Sequence, residues 1–196
     1  MDRPLGVAAG NANEIIETID CLKGNGPEDV MEVTRAQGVR LLVMSGRFDD
    51  ASAGAALDEA ITSGRALDQS RKWIAAQGGN PAIVDDYSLL PQPTSVIEVK
   101  APQSGYITHM DTYQAGMFCV DLGAGRKKAD DVIDYAAGVM FDRRTGDSVQ
   151  AGDVIARIQL GRGARDAEEL RSRFLSFVSF GDEAPAKRPL VHEHLV

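Results

Sequence analysis

The chain has 196 residues, 43% of them hydrophobic and 26% charged, with a formal net charge of −8. That is enough apolar material for a packed core, in one large or two small domains. The acidic balance excludes broad binding to nucleic acid or anionic membrane, both of which need a basic surface, but leaves room for one local phosphate site.

Taken in chain order, a Gly-rich stretch from Gly6 to Asn11 comes first. Residues 11–23 read as a helix: Asn11 or Asn13 can cap it, Ile15, Ile19 and Leu22 share a face, and Gly24 ends it. A second helix is expected from Pro27 to about Ser45, with Glu28 and Asp29 favouring the positive end of its dipole. A third covers about 49–63, with Leu57, Ala60 and Ile61 facing inward. A fourth covers about 66–77 and carries Trp73 and Ile74 until Gly78-Gly79-Asn80-Pro81 stops it. No strand signal precedes residue 80. Residues 87–94, with Pro91 and Pro93, read as an extended linker.

The pattern then changes. Residues 95–100 alternate as a strand does, and Gly105 to Met110 gives a second strand after a turn. Residues 112–122 read as a short helix, followed by the Gly123-Ala124-Gly125 loop and a strand at 137–141. A turn at Thr145-Gly146-Asp147 leads to a hairpin-like segment over 149–160. Residues 166–178 read as a helix, with Leu170, Phe174 and Val178 at i, i+4 and i+8. A short apolar strand is expected at 190–195. The fold class is therefore α/β to α+β: a helical part over residues 1–86, a linker over 87–94, and a mostly antiparallel α+β domain over 95–196.

No secretory signal or bilayer-spanning run is visible. Cys21 and Cys119 sit in apolar-periodic segments and read as buried, reduced thiols of a cytoplasmic protein. No Cys or His pair has zinc-ligand spacing. His109, His192 and His194 have no nucleophile paired with them in sequence. The Gly146 to Ile155 pattern marks tight turns of the barrel-sandwich or hammerhead kind, shared with biotinyl and lipoyl carriers. A carrier needs a lysine at the hairpin tip, and this turn has Arg143, Arg144 and Thr145 instead. The loop Gly123 to Lys128 is Gly-rich and basic. It reads either as a solvated surface loop or as a phosphate cradle of backbone N–H groups; it has neither a P-loop nor a dinucleotide fingerprint. The first loop exposes carbonyls beside Glu17, a hard-oxygen set suited to a group I or II cation.

Seven strings together resemble one family. They are Arg3-Pro4-Leu5-Gly6-Val7-Ala8-Ala9-Gly10-Asn11-Ala12-Asn13-Glu14; Gly26 to Asp29; Ala75 to Gly79; Leu89 to Pro91; Ala101 to Tyr106; Leu122 to Arg126; and Asp131 to Gly138. Their order and spacing resemble the C-terminal portion of thymidine and pyrimidine-nucleoside phosphorylases, over essentially the whole chain. Asn13 departs from the pattern, where the family more often has an apolar residue.

The resemblance implies reversible phosphorolysis of a pyrimidine nucleoside to the free base and (deoxy)ribose 1-phosphate, with phosphate attacking the anomeric carbon. It also implies that the residues holding phosphate and base lie upstream of Met1. On that reading no catalytic residue is assigned here, the chain is a truncated portion, and it is inactive alone. The resemblance further implies a monovalent-cation half-site for potassium at Leu5, Ala8 and Glu17, and no organic cofactor. It places Met117, Gly123, Gly125 and Arg126 toward the substrate cleft. The complete family member is a homodimer, and the N-terminal part could act as a separate partner chain. Such a portion is expected to show an exposed apolar face on its first four helices. The alternative is a non-enzymatic binding or scaffold protein derived from the same half.

Overall fold

The computed structural model describes residues 3–193. In chain order the elements are β1 (Ala8–Ala9), α1 (Ala12–Leu22), α2 (Glu28–Met44), α3 (Asp50–Thr62), α4 (Arg65–Ala76), two 3-10 turns (Pro81–Val84 and Tyr87–Leu89), β2 (Ser95–Lys100), β3 (Gly105–Met110), α5 (Thr112–Leu122), β4 (Gly138–Phe141), β5 (Ser148–Val149), β6 (Val154–Leu160), α6 (Ala167–Leu175) and β7 (Val178–Gly181). This is a mixed α+β chain whose strand pairings are all antiparallel. It divides into two compact units: one runs to Ile15 and resumes over Leu90–Lys187, and the other is Ile16–Leu89 with the residues from Arg188 onward.

The first unit holds both sheets. One has the order β1-β4-β6-β2 and the other β5-β3-β7. Strand β2 buries Ile97 and Val99 and leaves the residue between them exposed, the period-2 pattern of a sheet with one dry face. Val99 lies opposite Ala156, and Ile158 opposite both Ile97 and Val139, so three strands bury one continuous layer. Helices α5 and α6 cover it with Phe118 and Phe174, whose rings meet edge to face at 6.0 Å. Each helix starts at an aspartate. The Asp111 carboxylate accepts from the Gln114 N–H at 3.1 Å, and that of Asp166 accepts from the Glu168 N–H at 2.8 Å. Helix α5 ends at Gly123, whose φ of 105° is open to glycine and strained for other residues.

The second unit is helical. Asp49 and Ser52 cap α3 reciprocally, and Arg35 on α2 reaches Asp58 on α3 at 3.0 Å. Ile19, Val39, Ala53 and Val84 are its buried apolar residues, and α4 buries none of its own. Leu41, Met44 and Trp73 are 68%, 82% and 64% exposed. Large apolar side chains are therefore exposed on α2 and α4, whereas α3 exposes none.

Several expectations are corrected. Strand β1 lies in a region with no strand signal; its two residues take extended form from pairing with Met140 and Val139. The segment 149–160 is not a hairpin, because β5 pairs with β3 while β6 pairs with β2 and β4. The last helix stops at Leu175, and Val178 belongs to strand β7, which pairs with β3. Pro27 caps α2 from outside rather than opening it. Leu57, Ala60 and Ile61 are only partly buried, as is Cys21. Residues 190–193 form no strand, and the rest of that expected strand lies outside the described residues.

Candidate functional site

The first loop is tied down from one side by the turn after β4. The Phe141 N–H donates to the Val7 carbonyl at 2.7 Å, and the Arg144 guanidinium donates to the Gly6 carbonyl at 3.2 Å. Its far end is held by Asn13. The Asn13 amide is 7% exposed; its Nδ2 donates to the Ala9 and Val139 carbonyls at 3.2 Å each. A Cβ on Gly138 would stand 2.5 Å from the Ala9 oxygen and 2.7 Å from Asn13 Nδ2. The close approach of β1 to β4 around Asn13 therefore requires glycine there.

Two of the sequence motifs converge at this point. Asn11 Nδ2 donates to the Ala124 carbonyl at 2.8 Å, and Cys119 Sγ donates to the Ala9 carbonyl at 3.7 Å. The first loop and the Gly123–Arg126 loop are thus joined. Burial, with a smaller contribution from Glu14, pushes the Cys119 thiol up to about 12, so it is an inert packed thiol.

The loop after α5 is built on Asp134. This residue is 8% exposed; its Oδ1 accepts from the Ala136 N–H at 3.1 Å, and its own N–H donates to the Gly123 carbonyl at 2.8 Å. Gly161 packs so tightly on the Asp134 carboxylate that a Cβ there would overlap it. Further along, the Lys127 and Lys128 N–H groups both donate to Asp131 Oδ2, at 2.8 and 2.9 Å. The phosphate-cradle reading is corrected for those two amides: the chain's own carboxylate fills them. Lys127 Nζ and Arg173 both pair with Asp121, anchoring the loop base to α6.

The other expected site residues fall as follows. Leu5 is exposed, and Ala8 lies in β1 opposite Met140; both belong to the first unit. Glu17 lies on the part of α1 in the second unit, half-buried, where its charge adds to burial in raising the Cys21 thiol. Met117 is 37% exposed on α5. Gly125 sits against Val120, and Arg126 is exposed with no side-chain partner among the described residues. Among those residues no group of three His, Cys, Asp or Glu side chains could hold a metal ion, so a cation here would have to rely on carbonyls. No helix among them is long and apolar enough to cross a membrane.

Sequence reasoning missed Asn13 as a buried anchor and Asp134 as the loop's support. In Ile133-Asp134-Tyr135-Ala136 the folded chain puts Asp134 and Ala136 inward and Tyr135 outward, an alternation the residue types alone do not announce.

Residues 106–171 match the pyrimidine nucleoside phosphorylase C-terminal domain. Over the whole chain there is 35% identity, across 197 residues, to the pyrimidine-nucleoside phosphorylase of Staphylococcus aureus strain MSSA476, of which the match covers 45%. The protein of the same description from Bacillus subtilis strain 168 is 35% identical over 193 residues, covering 98% of this chain and 44% of that protein. The chain thus spans less than half the length of the curated relatives it matches. With the family's C-terminal domain embedded in a match that runs end to end, the chain is similar to the C-terminal portion of the pyrimidine-nucleoside phosphorylases.

Proposed function

We propose that this chain is the C-terminal part of a pyrimidine-nucleoside phosphorylase, which converts a pyrimidine nucleoside and phosphate to free base and (deoxy)ribose 1-phosphate. The 196 residues alone do not perform that reaction. The observation that carries this reading is the end-to-end match to under half of each relative. The groups that hold phosphate and base belong, on the resemblance, to the unmatched part. The two sheets around the Phe118–Phe174 core suit a barrel-sandwich or hammerhead-like wall for the cleft, with Met117, Gly123, Gly125 and Arg126 on the side facing it. On the resemblance, the Leu5 and Ala8 carbonyls of the first loop would offer part of a half-site to a monovalent cation, completed by residues outside that loop. A cytoplasmic homodimer is the assembly that goes with this reading.

A chimera tests it. The chain replaces the matched 44% of the Bacillus subtilis relative, and release of free base from uridine and phosphate is measured. Phosphate-dependent release supports the reading. A folded but inactive chimera favours the alternative, a non-enzymatic binding or scaffold protein, for which exposed Leu41, Met44 and Trp73 offer a contact surface.

A further inference from the structure

In a chain with 29 acidic against 21 basic residues, arginines readily find carboxylates. Arg35, Arg71, Arg157 and Arg173 all do. Several other cations do not, and four of these lie in two loops of the first unit. Arg126 and Lys128 follow the loop after α5, and Arg162 and Arg165 follow β6. All four are exposed, and their side chains have no hydrogen-bond or ion-pair partner among the described residues.

The two segments that carry them meet on one residue. Asp134 holds the first loop through the Gly123 carbonyl, and Gly161, at the start of the second, rests on the Asp134 carboxylate. The second segment is also fixed by Thr94, whose hydroxyl donates to the Leu160 and Gly161 carbonyls at 3.1 and 3.3 Å.

The neighbouring carboxylates are mostly occupied. Asp131 accepts from two backbone amides, and Asp166 accepts from the Glu168 and Glu169 N–H groups at the start of α6. Asp130 remains as one exposed acid among the four cations. The backbone N–H groups of Gly125, Arg126, Arg162 and Gly163 have no protein acceptor among the described residues. Guanidinium groups beside unsatisfied amides in Gly-rich backbone form the chemistry that recognises a phosphate oxygen.

We propose that the loops 123–128 and 161–165, both seated on Asp134, form one anion-binding surface for a small phosphate-bearing ligand, contacted by Arg126 and Arg162. Its part in turnover rests on the proposed cleft placement of Gly123, Gly125 and Arg126; binding does not.

The test is an amide NMR titration of the whole chain, with inorganic phosphate in one arm and ribose 1-phosphate in the other, at constant ionic strength. Saturable shifts centred on 123–128 and 161–165 are expected. Tighter binding of ribose 1-phosphate assigns a sugar phosphate, and equal binding assigns the free anion. R126Q/R162Q weakens the effect by about tenfold, while R47Q, an exposed cation elsewhere, leaves it unchanged. Shifts that do not saturate, that sodium chloride reproduces, or that survive R126Q/R162Q overturn the proposal. No turnover is measured, so this result is independent of the chimera's.

Discussion

Asn13 and Val139 are separated by 126 positions in sequence, yet the Asn13 amide donates to the Val139 carbonyl at 3.2 Å in a buried site. The same Nδ2 bonds the Ala9 carbonyl, so one side chain holds β1 against β4. Asn13→Ala removes the amide donor from both carbonyls, of which Ala9 keeps its Cys119 Sγ contact, and is expected to cost about 1 kcal/mol. Asn13→Leu is similar in size but supplies no donor to either carbonyl, so it does not restore the loss. Urea unfolding checks both variants; a wild-type midpoint for Asn13→Ala refutes the anchoring role.

Glycine positions separate close approach from simple flexibility. Gly138→Ala puts a Cβ against the Ala9 carbonyl and the Asn13 amide, and is expected to destabilise by about 1–3 kcal/mol. Gly116, inside α5, has nothing within 4 Å of the place a methyl group would occupy. Gly116→Ala is expected to raise the melting temperature, by the roughly 1 kcal/mol that separates alanine from glycine in a helix interior. Thermal unfolding of the two variants should move in opposite directions.

The two cysteines should differ in reactivity. Cys119 is buried with its thiol pushed up to about 12, and Cys21 is half-buried, its thiol raised by burial first and then by Glu17. At pH 8 an alkylating reagent should modify Cys21 first, read by peptide mass spectrometry. The fold favours the neutral Cys119 thiol. Its contribution to stability is therefore complete below the ordinary thiol value of 9.0 and is lost as pH rises toward about 12. Cys119→Ala should remove that alkaline slope while costing packing at every pH. Faster modification of Cys119 than of Cys21 in the folded chain contradicts this burial.

The helical unit leaves large apolar side chains in water. Trp73→Ser and Met44→Gln should change stability by no more than about 1 kcal/mol, because both side chains are mostly exposed. They should, however, reduce self-association measured by light scattering. A loss of several kcal/mol on Trp73→Ser would mean that this indole has an intramolecular partner.

Much of the sheet unit was legible. The bounds of β2, β3 and α5 fall where strand alternation and the glycine loop at 123–125 place them. Strands β1 and β7 were not. Two alanines carry no β signal of their own, and β7 continues the i, i+4 spacing of Leu170 and Phe174, so Val178 imitates a further turn of helix. Its true state comes from pairing with Met110, a non-local contact that no local period encodes. The first loop and the Gly123–Arg126 loop were each visible as motifs, but their union through Asn11 and Ala124 spans 113 positions. Asp134 was hidden for a related reason: a buried carboxylate looks like any surface acid until Gly161 is seen resting on it.

The most direct test is phosphorolysis by the purified 196-residue chain, supplied with thymidine or uridine, phosphate and potassium, with free base followed by ultraviolet absorbance. No base release above the protein-free blank is predicted, because the proposed reading assigns the groups that hold phosphate and nucleobase to the portion this chain does not match. Release of thymine or uracil that depends on both the chain and phosphate would contradict that assignment.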